Sequence, residues 1–346
     1  MAALEIEYTE LYTSDQRACI THLVSSLGFS VMAEAESSLG NSVLLRQGPV
    51  QLIVTEGPRA RAFLDKHGDG VADIAFTCDD VAETLDQAVA AGASVAGRGP
   101  DRIGVSGFGG VWHTLLPRSA GGRLPDGWSW TSPRDGSWTS PRDSEPDAEG
   151  HIQSLDHVAV CVDGGTLEYW ADFYDAGFGL SRYSSEYTEL GDQGMESIVV
   201  RGGPGDVTFT LLAPDLARNP GQITAFLLRN DGPGVQHLAF GVDSITSAVK
   251  EFRDAGAEFL YTPASYYELL AERLPEIRPE IAELAATGVL ADRDEWGYLL
   301  QLFTRSSYPR NTLFYELVQR RGARGFGSAN IKALYEAVER DRLAAQ

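Results

Sequence analysis

This sequence predicts two α+β domains, each assembled from a pair of βαβββ units. Three observations point there: the length, a break in composition and an internal repeat. At 346 residues the chain is longer than one hydrophobic core usually serves. Residues 118–150, RSAGGRLPDGWSWTSPRDGSWTSPRDSEPDAEG, are rich in Gly, Ser, Pro and Asp and carry WTSPRD twice, at 130–135 and 138–143. Such a stretch buries too little apolar surface to offset its ordering entropy. It reads as a linker over 119–150, from which Trp128, Trp130 or Trp138 could dock on a domain. The linker separates an N-terminal domain, 1–118, from a C-terminal domain, 151–346.

The repeat supplies the elements in order. LEIEYTELYTSDQRACITHLVSSLGFSV (4–31) parallels SLDHVAVCVDGGTLEYWADFYDAGFGLS (154–181). Each reads as a strand, a helix that stops near Gly28 or Gly179, then a second strand. Further on, HGDGVADIAFTCDDVAETLDQAVAAGASV (67–95) parallels DGPGVQHLAFGVDSITSAVKEFRDAGAEF (231–259), each a turn, a strand and a helix, with Gly92 as a C-cap. The pairs Gly70-Val71 and Gly234-Val235, and Ala75-Phe76 and Ala239-Phe240, fix the alignment. The closing strands match as well, VWHTLLPR (111–118) with LFYELVQR (313–320). The helices run to about 12 residues, near the usual globular length.

Composition narrows the function. Lys+Arg 28 against Asp+Glu 49 gives a formal charge of −21, which repels phosphate backbones and argues against a nucleic-acid partner. No apolar run approaches the roughly 20 residues that span a bilayer, so no membrane association is expected. The opening MAALEIEYTELY has acids where a signal peptide needs basic then apolar residues. Cys19, Cys78 and Cys161 are odd in number and far apart, and read as buried thiols of a cytoplasmic protein.

The chemistry emerges from comparing the repeats. The second half carries His157, His237 and Glu316 where the first carries Tyr8, Asp73 and Thr114. Each lies among apolar strand neighbours and is expected to point inward. A buried carboxylate without a partner is costly, and two imidazoles sharing one cation with it would resolve that cost. Two His and one carboxylate on one face of a divalent ion form the donor set of non-haem Fe(II) oxygenases, with Mn, Zn and Fe all open at this point. His22, His67, His113 and His151 read as core or surface residues.

Seven stretches carry a resemblance: LDHVAV (155–160), GQITAFL (221–227), GPGVQHLAF (232–240), TPASYYELLAER (262–273), LADRDEWGYLLQLFTR (290–305), FYELVQR (314–320) and FGSANIKALYEAVE (326–339). On these the chain, apart from its linker, resembles the vicinal-oxygen-chelate enzymes of the 4-hydroxyphenylpyruvate dioxygenase family. The resemblance implies a homodimeric enzyme whose C-terminal domain binds Fe(II) through His157, His237 and Glu316 and whose N-terminal domain has no metal. It implies 4-hydroxyphenylpyruvate and O2 as substrates. It also implies a substrate shell of Ser197, Gln222, Gln236, Gln301, Phe303 and Phe326.

Two reactions occur in that family. One attacks the aromatic ring and gives homogentisate; the other hydroxylates the benzylic carbon and gives 4-hydroxymandelate. Ring-attacking members read P-I-N-E-P where this chain has Thr210-Leu211-Leu212-Ala213-Pro214, and have Phe where it has Ile331. Leu212 cannot offer a ring intermediate the hydrogen bond of an Asn, and Ile331 leaves the ring more room than Phe. Thr210, Leu212 and Ile331 resemble the benzylic branch, which serves 4-hydroxyphenylglycine in nonribosomal peptides. Glu196 and Ala213 depart from the family, which has Asn and Glu there. Homogentisate formation and non-catalytic binding of a small molecule are the alternatives. Finally, FGSANIKALYEAVER (326–340) places Ile331, Leu334, Tyr335 and Val338 on one helical stripe with Ser328 as N-cap; the resemblance makes this helix a cover for the pocket.

Overall fold

A computed structural model describes residues 5–38, 40–99, 102–118, 129–131, 150–202, 207–327, 329–330 and 332. The first half runs β1 (Glu5–Tyr12), α1 (Gln16–Thr21), β2 (Ser30–Ser37), β3 (Gly40–Gln47) and β4 (Val50–Glu56). After α2 (Arg61–His67) come β5 (Gly70–Cys78), α3 (Val81–Ala90), β6 (Val95–Gly99), β7 (Arg102–Ser106) and β8 (Trp112–Pro117). The second half repeats the series with β9 (Ile152–Cys161), α4 (Leu167–Phe178), β10 (Ser181–Leu190), β11 (Gln193–Gly202), β12 (Val207–Pro214) and α5 (Gln222–Asn230). It closes with β13 (Gly234–Val242), α6 (Ile245–Asp254), α7 (Ala264–Arg273), α8 (Ile281–Thr287), β14 (Leu290–Arg293), β15 (Tyr298–Phe303) and β16 (Phe314–Arg321).

The two sheets share one topology. Their orders are β2-β3-β4-β1-β5-β8-β7-β6 and β10-β11-β12-β9-β13-β16-β15-β14, so every strand of one has a counterpart in the other. The four βαβββ units are present, and the fourth carries an insertion, α7 and α8, that the repeat did not announce. Register confirms the alignment residue by residue. Ala75 faces Tyr8 and Asp73 faces Trp112, as Ala239 faces His157 and His237 faces Phe314. Tyr8, Asp73 and Thr114 are thus the spatial counterparts of His157, His237 and Glu316.

Local sequence explains the helices. In α6 the buried side chains Ile245, Ala248, Val249 and Phe252 form one apolar stripe. The Asp80 carboxylate caps α3 by accepting from Glu83 N at 2.9 Å, and Gly92 falls one residue beyond the cap residue Ala91. Helices of both halves share one core between the sheets, where Phe29 packs on Phe240. A Cβ on Gly177 would lie 3.3 Å from Ala88 Cα, so α4 approaches α3 this closely because it has none. In the same core His113 bonds Tyr174 Oη at 2.8 Å, and burial lowers its pKa to about 4. The three cysteines are buried free thiols. Trp130 packs against a cluster on the first sheet that includes Tyr8, Leu44 and Ile53; Trp128, Trp138 and nearly all of the duplicated WTSPRD lie outside the described residues. Among the described residues no helix is long and apolar enough to cross a membrane.

Candidate metal centre

Three neighbouring strands, β9, β13 and β16, bring His157, His237 and Glu316 together. Ala239 is the register partner of both His157 and Glu316, so a methyl group separates the two longer side chains. His237 sits two residues earlier on β13, on the same face. His157 Nε2 lies 3.3 Å and His237 Nε2 lies 3.1 Å from Glu316 Oε2, and the two Nε2 atoms are 3.4 Å apart. The three residues are 5%, 8% and 3% exposed.

Two β-bulges orient the imidazoles. Successive residues of a regular strand point to opposite faces, so a side chain could not reach the ring of the next residue. Here the register slips between Ala239 and Phe240 leave Asp156 without an opposite residue, and the slip between Val235 and His237 does the same for Gln236. Both bulged side chains turn back onto the neighbouring ring. Asp156 Oδ1 accepts from His157 Nδ1 at 2.8 Å, and Gln236 Oε1 accepts from His237 Nδ1 at 3.2 Å. With each Nδ1 directed to its bulged neighbour, both Nε2 atoms face Glu316.

The electrostatics favour an ionised Glu316 between the two imidazoles. Burial alone would raise the Glu316 pKa, but hydrogen bonds with His157 and His237 lower it, so the carboxylate is ionised. Burial lowers the His157 pKa, and bonds to Asp156 and Glu316 overcome this and raise it to about 9. Burial lowers that of His237. Asp156 is held well below the ordinary carboxylate range, its burial outweighed by Arg320 and His157. Two imidazole nitrogens and one carboxylate oxygen, all buried and convergent, fit a divalent first-row cation and could hold one.

Aromatic rings wall the cluster. Phe326 meets His157 edge-to-face at 5.2 Å, Phe314 stacks on His237 at 5.0 Å, and Phe303 lies 5.9 Å from His237. Gln301 and Thr210 are buried, and Gln301 Oε1 and Thr210 Oγ1 have no hydrogen-bond partner among the described residues. Leu212 packs with Ala159, Cys161, Met195 and Phe226, and Ser197 faces it across the β11–β12 pair. Gln236 serves His237. Gln222 lies at the exposed start of α5, its amide 4.0 Å from Met195 Sδ. Ile331 and Ser328 lie outside the described residues. Phe314 and Arg320 were missed by sequence reasoning, although both share the alternation that places Glu316 inward; Asp156 was missed because a bulge breaks that alternation.

Residues 1–112 match Hydroxyphenylpyruvate dioxygenase, HPPD, N-terminal, and residues 154–302 match the Glyoxalase/Bleomycin resistance protein/Dioxygenase superfamily. A 4-hydroxyphenylpyruvate dioxygenase from Yarrowia lipolytica is 30% identical over 97% of this chain and 91% of its own length. One from Dictyostelium discoideum is 28% identical over 97% of each. The solved structure of a variant of 4-hydroxymandelate synthase from Streptomyces coelicolor superposes with a TM-score of 0.84 at 49% identity, covering 98% of this chain and 99% of that one. This chain belongs to the 4-hydroxyphenylpyruvate dioxygenase family.

Proposed function

We propose that the chain is an Fe(II)-dependent oxygenase that converts 4-hydroxyphenylpyruvate and O2 into 4-hydroxymandelate and CO2. The observation that carries this reading is the convergence of His157 Nε2, His237 Nε2 and Glu316 Oε2 within 3.4 Å of one another. Fe(II) held by these three would supply the O2 activation that joins decarboxylation of the 2-oxo acid to hydroxylation of the neighbouring carbon. Residues 151–346 then form the catalytic domain, and 1–118 a domain without metal.

The remaining work belongs to the chain's own side chains. Phe303, Phe314 and Phe326 exclude water from the cluster, and the open hydrogen-bonding ends of Gln301 and Thr210 orient a polar ligand. The wall around Leu212 is apolar and gives an aromatic ring no hydrogen bond, which favours reaction at the benzylic carbon. The 49% identity to 4-hydroxymandelate synthase, against 30% to the Yarrowia dioxygenase, supports the same branch. The test is product identification by mass spectrometry and chiral chromatography after incubation with 4-hydroxyphenylpyruvate, Fe(II) and O2. We expect 4-hydroxymandelate with one CO2 per O2 consumed. Homogentisate as the main product would move the chain to the ring-attacking branch, and absence of O2 uptake would end the enzymatic reading.

A further inference from the structure

We infer that Arg320 is a positioning residue that couples the orientation of His157 to the seating of residues 323–327, so that metal loading and ordering of that segment are linked. The inference rests on the reading of His157, His237 and Glu316 as metal ligands.

The geometry is a closed circuit of contacts. Arg320 grips Asp156 with two parallel bonds, Nε to Oδ2 at 2.7 Å and Nη2 to Oδ1 at 2.8 Å. Asp156 Oδ1 also accepts from His157 Nδ1. The remaining arm of the guanidinium, Nη1, donates to Gly325 O at 2.7 Å and Ala323 O at 3.3 Å. Its plane covers the Phe326 ring, with 4.9 Å from Cζ to the centroid, and that ring meets His157 at 5.2 Å. The circuit therefore runs from His157 through Asp156, Arg320 and Phe326 back to His157.

Each link constrains the next. Lifting residues 323–327 removes two carbonyl acceptors and the stacking surface from Arg320, which frees the guanidinium from the angle that grips Asp156. A loosened Asp156 no longer holds the His157 ring with Nε2 turned toward Glu316. In the other direction, a cation on Nε2 makes Nδ1–H a stronger donor, tightens Asp156 and with it Arg320. Coupling of this kind is reciprocal. Only a planar fork serves a carboxylate, two carbonyls and a ring face together; a Lys ammonium is a point charge.

The experiment combines anaerobic Co(II) titration with hydrogen exchange read by mass spectrometry. In the wild type, Co(II) should slow exchange of the amides in 323–327. Arg320→Gln should weaken Co(II) binding by about 10–100-fold and abolish that protection. Arg320→Lys, which restores a charge beside Asp156, should recover part of the affinity and none of the protection. Asp156→Asn, nearly isosteric, should reproduce the loss of affinity if Arg320→Gln does not fold. The coupling is overturned if Arg320→Gln binds Co(II) as the wild type does, or if Co(II) protects 323–327 equally in that variant. If the wild type binds no Co(II), the metal-centre reading itself falls, and this inference with it.

Discussion

The two halves place different chemistry at the same three positions of one topology. In the first, Asp73 is fully buried and accepts from Thr114 N at 2.9 Å and from Thr114 Oγ1, while Tyr8 packs among Ala33, Leu44 and Ile53. Beside them the buried Glu10 is neutralised by Arg59 at 2.9 Å and accepts from Thr55 at 2.8 Å. In the second half the counterparts of Asp73 and Thr114 are a second imidazole and a carboxylate, which together with His157 could hold a cation. A buried polar group can be satisfied by its neighbours or by an ion. The bulges reinforce the difference. Both halves slip register at matching places, but Asp156 and Gln236 of the second half correspond to Glu7 and Ala72 of the first.

The hardest blow to the contrast is Glu316→Ala, which removes the carboxylate that both imidazoles share. Metal content and O2 uptake should both fall to background while circular dichroism stays native, and a turning-over Glu316→Ala enzyme would refute the assignment. Next is the transplant Tyr8→His, Asp73→His, Thr114→Glu. Ala72 supplies no acceptor for the new imidazole at 73, so this site should bind Co(II) at least about 10-fold more weakly than the native one. Saturation at two ions of equal affinity would mean that residue identity alone suffices.

Pocket shape is the next level. Leu212→Asn with Ile331→Phe should shift part of the product from 4-hydroxymandelate toward ring-oxidised species, at a rate reduced by overpacking that typically costs about 1–3 kcal/mol. The single changes should do less, since they act on one substrate pose; chromatography at equal O2 consumed measures the ratio. The last prediction concerns His113, a buried imidazole bonded to Tyr174 and not to a carboxylate. Its folded pKa of about 4 lies below the unfolded value, so the unfolded chain takes up the proton first. Its contribution is present above pH 6.5 and is lost as the pH falls toward 4, by up to about 3 kcal/mol. Urea unfolding across that range should show the slope in the wild type and a shallower one in His113→Gln.

The repeat made the fold legible, because strand, helix and Gly stop recur in sequence at the positions where the sheets recur in space. The same alignment exposed His157, His237 and Glu316, since each differs from a counterpart that would otherwise have matched it. Asp156 and Gln236 were harder. Whether the residue before a His faces its ring depends on a register slip against the partner strand, which is not written in local alternation. Arg320 reads as the fourth residue after Glu316, yet its contacts with Ala323, Gly325 and Phe326 form only when the chain turns after β16. The insertion α7–α8 has no counterpart in the other three units, so comparing repeats could not announce it.

The contrast between the halves is tested most directly by anomalous diffraction at the iron edge from crystals grown anaerobically with Fe(II). We expect one peak per chain, at about 2.0–2.2 Å from His157 Nε2, His237 Nε2 and a Glu316 oxygen, and none beside Tyr8, Asp73 and Thr114. A peak in the first half, or iron bound away from these three side chains, would contradict it.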